Sequence, residues 1–197
     1  MRLIGLCGRS GSGKGLFSSV ASKNGFKVID CDAVYKELVS KPSDCLLEIA
    51  DNFGIEVIKD NALNRRYLAP IVFADKEKLN LLNEITHKHI IVEVQRILSQ
   101  YDENEIVVID APTLFESGID SMCDLIVGII APDDVCIERI TARDGITEEE
   151  ARSRLSNQPT IDFIAENSDC IIYNDSSIET FEKAILDLIE NVKENLT

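Results

Sequence analysis

Apolar residues along the chain form short continuous runs that alternate with helical segments. The runs cover residues 3–7, 26–30, 106–110, 124–131 and 170–174. They lack the apolar–polar alternation of a half-exposed strand, and continuous runs are typical of parallel strands buried on both faces. Helical segments between them indicate βαβ units. The pattern therefore predicts an α/β fold with one parallel sheet covered by helices on both faces.

Helical segments can be placed at both ends of the chain and between the second and third strands. One helix is predicted from residue 14 to about 23. The last helix has one apolar stripe with spacings of three and four residues, formed by Ile178, Phe181, Ile185, Leu188, Ile189 and Val192. Residues 31–105 are too many for one crossover helix. We expect an inserted helical unit at about 60–103, with a turn at 60–62 and helical pattern over 65–100, in a core of about 1–59 and 104–197.

A glycine-rich sequence follows the first predicted strand and opens a helix: Gly8-Arg9-Ser10-Gly11-Ser12-Gly13-Lys14. It fits the G-x-x-x-x-G-K pattern of phosphate-binding loops, in the strand-to-helix context that this pattern requires. Glycines let backbone N–H groups approach phosphate oxygens, and a helix N-terminus favours an anion. Lys14 is expected to bridge the β- and γ-phosphates of a nucleotide. The spacing and the lysine argue against the alternative, a glycine-rich turn without a ligand.

The two residues after this lysine depart from the usual pattern. Phosphate-binding loops place Ser or Thr directly after the lysine as a Mg²⁺ ligand, whereas this chain has Gly15 and then Leu16. Ser18 and Ser19 lie further along the helix, where we expect them to be poorly placed for this role. Mg²⁺ keeps several waters in such sites. We therefore expect Mg²⁺ to be held mainly through waters and ATP oxygens.

Carboxylates follow two of the predicted strands, Asp30 and Asp32 after the second and Asp110 at the end of the third. Ligands bind outside the carboxyl ends of parallel strands, so all three are expected to point toward the phosphate loop, with Asp32 or Asp110 as candidate outer ligands of Mg²⁺. Asp32 is also our candidate for the base that orients an acceptor hydroxyl. A helix N-cap at Asp32 is an equally good interpretation. Asp110 resembles a Walker B carboxylate, and a turn or cap residue is the alternative.

Composition narrows the class of protein. No apolar run reaches the length of about 18 residues that a membrane span needs, and the N-terminus does not resemble a signal peptide, so we expect a cytoplasmic protein. The formal net charge of −15 disfavours a nucleic-acid partner. The six cysteines contain no C-x-x-C pair, which disfavours a zinc site or a disulfide framework. We expect a monomer or a weak homo-oligomer.

Further motifs, in order along nearly the whole chain, resemble those of the dephospho-CoA kinase family. Val28-Ile29-Asp30-Cys31-Asp32 is similar to its V-I-D-x-D segment, and Pro112-Thr113-Leu114-Phe115-Glu116 to its P-L-L-x-E segment. The sequence from Asn64 to Phe73 is similar to its Arg-containing helix start before I-V-F, and His87-Lys88 keeps the His of its His-Pro pair. Its lid pattern and last strand correspond to Arg139, Arg143-Asp144-Gly145, Glu149-Glu150-Ala151, Arg154 to Gln158, and Asn174.

This resemblance implies a P-loop NTPase three-layer fold with a five-stranded parallel sheet, a helical acceptor-binding insertion and a small lid at about 139–160. It implies transfer of the γ-phosphate of ATP to the ribose 3′-hydroxyl of dephospho-CoA, with Mg²⁺ as cofactor. The implied catalytic residues are Asp32, Lys14 and Arg143. The implied ATP-binding residues are Gly8, Arg9, Ser10, Gly11, Ser12, Gly13, Lys14, Gly15, Leu16, Arg139 and Asn174. The implied acceptor-binding residues are Asp32, Arg65, Arg66, His87, Pro112 and Leu114.

Other interpretations stay open at this point. Arg139 and Arg143 share a helix face, where they would clamp phosphates or form exposed ion pairs with Glu138 or the glutamates at 148–150. The chain could be another small-metabolite or nucleotide kinase. It could also be a nucleotide-binding protein with little catalysis, because Gly15, Thr113, Lys88 and the Pro159 after Gln158 depart from the family pattern.

Overall fold

The computed structural model describes residues 1–194, and a five-stranded sheet lies at its centre. The strands are β1 (Arg2–Gly8), β2 (Lys27–Asp30), β3 (Ile58–Lys59), β4 (Ala62–Leu63), β5 (Ile106–Asp110), β6 (Leu125–Ile130) and β7 (Cys170–Tyr173). The central sheet has the order β2-β5-β1-β6-β7. Strand β1 pairs in parallel with β5 and β6, and β6 pairs in parallel with β7. All five strands lie where the apolar runs predicted them, and the predicted α/β fold with a parallel sheet is confirmed.

The helices fill the intervals between the strands. They are α1 (Lys14–Lys23), α2 (Cys31–Ser40), α3 (Asp44–Phe53), α4 (Arg65–Phe73), α5 (Lys76–Leu98), α6 (Asp133–Asp144), α7 (Glu148–Ser156), α8 (Ile161–Glu166) and α9 (Ile178–Glu194). Short 3₁₀ turns cover Ile55–Val57 and Ile119–Met122. No helix in the described part of the chain is both long and apolar enough to cross a membrane.

The helical pattern expected over 65–100 divides into two helices. Helix α4 ends at Phe73, and Asp75 begins α5 as its N-cap, because its carboxylate accepts hydrogen bonds from the backbone N–H groups of Glu77 and Lys78. The expected turn before this region is a two-residue hairpin loop between β3 and β4. Asp60 and Asn61 have φ angles of 53° and 62°, as a tight hairpin with positive φ at both positions requires.

The chain forms two compact units, one from residues 1–29 together with those from Glu103 onward, and one from Asp30–Asp102. The second unit begins earlier than the insertion expected from about residue 60. Its own apolar cluster explains this, because α2 and α3 contribute to it together with the later helices. The buried members of the cluster are Val39, Cys45, Ile49, Ala50, Val57, Leu68, Val72 and Ile85.

In the unit that contains the sheet, alternate residues of β1 face opposite layers. Ile4 and Leu6 pack in one cluster with Phe17 of α1 and Phe181 of α9. Gly5 faces the other layer, where a Cβ would lie 3.1 Å from the side chain of Leu114. Both faces of β1 are therefore covered, and the strand fixes the position at which the glycine-rich loop begins.

Candidate active site

The glycine-rich loop joins β1 to α1. At two of its glycines, any other residue would force neighbouring atoms to move. Gly11 has φ 78° and Gly13 has φ 114°, and side chains rarely adopt such angles. A Cβ at Gly11 would lie 2.7 Å from the carbonyl oxygen of Cys136, and one at Gly13 would lie 2.4 Å from Nδ2 of Asn174. The sequence motif is thus matched by backbone that needs glycine at these positions.

Lys14 begins α1 and turns back over the loop. Its Nζ donates a hydrogen bond to the carbonyl oxygen of Gly8 at 2.6 Å, so the ammonium group lies against the residue where the loop starts. Ser12, between them, is fully buried, and no hydrogen-bond partner of its Oγ is found among the described residues. The loop therefore curves back on itself, as expected of a phosphate-binding loop, with the ammonium group of Lys14 next to its first residue.

Two side chains predicted to bind ATP hold the backbone of the loop. Asn174, which follows β7, is buried and donates from Nδ2 to the carbonyl oxygen of Ser12 at 2.7 Å. Arg139 of α6 donates to the carbonyl oxygen of Gly11 at 3.1 Å and to Oδ1 of Asn174 at 3.2 Å. A trans peptide directs its C=O and the following N–H in opposite directions. Asn174 consequently fixes the direction of the N–H group of Gly13.

The segment expected to form a lid is joined to the other side of the loop. Gln158 accepts a hydrogen bond from the backbone N–H of Ser10 and donates one to its Oγ, each at 2.9 Å. The guanidinium of Arg9 donates to Asp133 at 2.5 Å and to the carbonyl oxygen of Leu155 at 3.0 Å. Gln158 was not among the predicted site residues, although it ends the R-x-x-x-Q pattern.

Two arginines of the same segment share one carboxylate. Arg143 donates from Nε to Asp144 at 2.7 Å and from a terminal nitrogen at 3.0 Å, and Arg154 forms an ion pair with the same carboxylate. The hydrogen bonds from Arg143, which have the larger effect, and from Arg154 hold the pKa of the Asp144 carboxyl well below its ordinary value. The expected alternative, ion pairs with Glu138 or the glutamates at 148–150, does not describe Arg143, because Asp144 is its partner.

Asp110 at the end of β5 accepts a hydrogen bond from Ser18 of α1, with 3.0 Å between Oδ2 and Oγ. The helix therefore brings the hydroxyl of Ser18 to the end of the neighbouring strand, a contact that the sequence did not predict. No group of three or more His, Cys, Asp or Glu side chains in the described residues could hold a metal ion by itself. Carboxylate and hydroxyl oxygens suit Mg²⁺, so this pair fits a metal that enters together with a nucleotide.

The acidic pair after β2 divides into a structural residue and an exposed one. Asp30 is the N-cap of α2, because its side chain accepts a hydrogen bond from the N–H of Ala33 at 3.1 Å. Asp32 lies exposed in the first turn of the same helix. The N-cap interpretation of Asp32 is therefore wrong, since Asp30 has that position. The carboxylate of Asp32 is left at the surface of its unit.

The predicted acceptor-binding residues of the Asp30–Asp102 unit lie on two helices. Arg65 and Arg66 are exposed in the first turn of α4, and the guanidinium of Arg65 lies 5.1 Å from the centre of the Tyr35 ring. Such a cation–π contact orients the guanidinium without using its hydrogen-bond donors. His87 is half-buried on α5.

Lys88, at the position where the family pattern has Pro, belongs to a cluster of charged groups. Its Nζ lies 2.7 Å from Oε2 of Glu48, and Nε2 of His89 lies at the same distance from that oxygen. Hydrogen bonds with Lys88, which has the larger effect, and with His89 lower the pKa of the Glu48 carboxyl. The substitution therefore introduces an ion pair between α3 and α5.

The two predicted acceptor-binding residues after β5 differ in exposure. Pro112 is exposed, whereas Leu114 is fully buried and packs beneath Gly5 of β1. The side chain of Leu114 therefore lies in the core, which differs from the acceptor-facing position expected from the sequence.

Comparison with known proteins identifies the family of the chain. Residues 2–180 match the family model for dephospho-CoA kinase. Dephospho-CoA kinase of Listeria innocua is 34% identical over 197 residues, which cover 98% of each chain. The structure resembles that of TT1252 from Thermus thermophilus, with a TM-score of 0.80 and 27% identity over 96% of this chain and 97% of that one. It also resembles dephospho-CoA kinase from Campylobacter jejuni, with a TM-score of 0.73 and 27% identity over the whole of both chains. The chain belongs to the dephospho-CoA kinase family.

Proposed function

We propose that this chain transfers the γ-phosphoryl group of ATP to the ribose 3′-hydroxyl of dephospho-CoA, which gives CoA, the last step of CoA biosynthesis. Membership of the family makes the chain a kinase. The observation in the structure that carries the proposal is the phosphate loop, whose carbonyl groups accept hydrogen bonds from Arg139 and Asn174. Because these carbonyl groups are fixed by hydrogen bonds, the N–H groups that follow them in the loop point in fixed directions. Fixed donors stabilise developing charge without reorganisation during the reaction.

The loop and the lid segment would hold ATP. Backbone N–H groups between Gly8 and Leu16 would receive the phosphates, and Lys14 would leave Gly8 to bridge the β- and γ-phosphates. Phosphoryl transfer has a loose transition state, so catalysis is mostly positioning and charge stabilisation. Arg143 would supply part of that stabilisation.

The phosphates of ATP would compete with Asp144 for Arg143 and Arg154. Both arginines already bind one carboxylate, which, like a phosphate group, offers two oxygens to a guanidinium. Exchange of one anion for the other would bring the lid segment over the nucleotide. Closure of a lid excludes water and so limits wasteful hydrolysis of ATP.

Mg²⁺ would accompany ATP, with Asp110 as the carboxylate nearest to the loop along the sheet. Asp110 would help to hold the ion, and the ion would supply positive charge next to the phosphates. Most of its ligands would be phosphate oxygens and waters, since this chain has Gly15 and Leu16 after the lysine.

The acceptor would be oriented by Asp32, which would take the proton of the attacking hydroxyl. Asp32 suits this role because Asp30 caps the helix and leaves Asp32 exposed. Arg65, Arg66, His87 and Pro112 are the side chains we propose for contact with the rest of dephospho-CoA.

A second candidate function is nucleotide binding with little catalysis, which Gly15 favours. A coupled ATP-consumption assay separates the two, with dephospho-CoA as acceptor, and adenosine and AMP as control acceptors. We expect turnover with dephospho-CoA alone and CoA as the product. ATP binding without turnover of any acceptor would support the second candidate.

Asp32→Asn tests the proposed base. We expect the turnover number to fall by about 10² to 10⁴ with little change in ATP affinity, because the carboxylate acts only on the acceptor hydroxyl. Asp44→Asn is the matched control, since Asp44 is also an exposed carboxylate in the first turn of a helix. Equal turnover in both variants would remove Asp32 as the base.

A further inference from the structure

The first turn of α1 offers no hydroxyl group to the phosphate loop. Gly15 and Leu16 follow Lys14, and Gly15 is exposed, with no atom within 4 Å of the place where a Cβ would be. The place of a Cβ at position 15 is therefore not occupied by any residue from elsewhere in the described part of the chain. The first turn of α1 therefore has no hydroxyl at the position where phosphate-binding loops usually have Ser or Thr.

The next hydroxyl along α1 is that of Ser18. Ser18 lies four residues after Lys14 and therefore on the same face of the helix. It is half-buried, and its Oγ is 3.0 Å from Oδ2 of Asp110. Asp110 is paired with Leu6 of β1, the strand that leads into the loop. One hydrogen bond therefore joins the helix after the loop to the strand end beside it.

This hydrogen bond helps to orient the carboxylate of Asp110. A carboxylate can only accept hydrogen bonds, whereas a serine hydroxyl donates one and keeps two lone pairs. By donating to Asp110, Ser18 fixes one of its oxygens and still presents acceptor capacity of its own. Waters bound to Mg²⁺ donate hydrogen bonds, so a carboxylate and a hydroxyl side by side suit the hydrated ion.

We propose that Ser18 is the positioning residue for Asp110 and compensates for the hydroxyl that Gly15 and Leu16 do not provide. The proposal rests on the proposed function, because it concerns the Mg²⁺ that accompanies the nucleotide. It predicts that the side chain of Ser18 contributes to the effect of Mg²⁺ on nucleotide binding. A merely structural link between α1 and β5 would not contribute in this way.

The test is calorimetric titration of the full chain with ADP, once with Mg²⁺ in excess and once with EDTA. The ratio of the two affinities measures the benefit from the metal, without any turnover. In Ser18→Ala we expect this ratio to fall by about 10-fold, the lower end of the effect typical for groups that orient metal ligands. Affinity in EDTA should be unchanged, because the N–H groups of the loop and Lys14 do not need the hydroxyl.

Three further variants make the test specific. Ser19→Ala is the matched control, since Ser19 is the neighbouring serine on the same helix and is exposed. Ser18→Thr keeps the hydroxyl, and both variants should keep the wild-type ratio. Gly15→Ser combined with Ser18→Ala should recover most of the ratio, because it returns a hydroxyl to the first turn. If Ser18→Ala folds poorly, Gly15→Ser alone gives the reading, because a hydroxyl in the first turn should add little to a ratio that Ser18 already supports.

The outcomes separate the two proposals. A wild-type ratio in Ser18→Ala, or an equal loss of affinity with and without Mg²⁺, would overturn the role of Ser18 and leave the proposed function standing. Absence of ADP binding to the wild-type chain would instead overturn the nucleotide site itself, and the role of Ser18 with it. A loss confined to the Mg²⁺ titration and repaired by Gly15→Ser supports the proposal.

Discussion

At the scale of single residues, Gly13 and Gly15 differ in whether the structure requires glycine, although only Lys14 lies between them. Gly13 has a positive φ and is in contact with Asn174, whereas Gly15 belongs to α1 and faces open space. Glycine is therefore needed at one position and only tolerated at the other. The glycine pattern alone does not distinguish the two cases.

Replacement of each glycine by alanine tests this difference. Gly15→Ala should raise the free energy of unfolding by about 0.5 kcal/mol, because alanine favours the helix more than glycine does. Gly13→Ala should lower it, since the new Cβ would meet Nδ2 of Asn174 in a backbone region that alanine avoids. Urea unfolding of both variants measures the two changes. Similar stability of both would contradict the assigned backbone of the loop.

At the scale of elements, the site is assembled from segments that are far apart in sequence. Asn174 follows β7, Arg139 belongs to α6, and both bind carbonyl groups of the loop between β1 and α1. Gln158 approaches the same loop from the lid segment. The loop is thus held by the edge of the sheet and by two neighbouring elements.

Asn174→Ala tests whether this support matters for binding. The carbonyl group of Ser12 would lose a buried partner, which should lower the free energy of unfolding by about 1–3 kcal/mol and also weaken ADP binding. Asn167→Ala is the control, because Asn167 also donates to a carbonyl group, that of Phe163, but at an exposed helix end. Unchanged ADP affinity in Asn174→Ala would show that the loop keeps its conformation without this side chain.

The elements themselves were largely predictable from the sequence, whereas contacts between them were not. Continuous apolar runs located the central strands β5, β1 and β6 because these strands are mostly buried, and shorter apolar runs located the partly exposed edge strands β2 and β7. Asp30 and Asp32 could not be told apart as caps, since both are carboxylates next to the start of α2. The bond from Ser18 to Asp110 depends on how α1 lies against β5, and local sequence carries no signal of that packing.

At the scale of the whole molecule, the two compact units divide the candidate residues between them. The phosphate loop and the lid segment lie in the unit that contains the sheet, and Asp32, Arg65 and His87 lie in the Asp30–Asp102 unit. Each unit has its own apolar cluster. Cooperative regions of this kind can respond separately to a ligand.

Amide hydrogen exchange should report this division. With ADP and Mg²⁺ we expect slower exchange in the phosphate loop and the lid segment, and little change within Asp30–Asp102. Addition of dephospho-CoA should then slow exchange within Asp30–Asp102, because the proposed acceptor contacts lie there. Lys14→Ala is the control for the first step and should show reduced protection by ADP. Equal protection of both units by ADP alone would contradict this assignment.

The hydrogen bond between Asn174 and the loop has a consequence for the synthesis of the chain. The ribosome adds the glycine-rich motif before the side chain that fixes the carbonyl group of Ser12, which comes 162 residues later. Domains generally fold as whole units during synthesis. The nascent chain therefore carries the complete motif long before the motif has its final support.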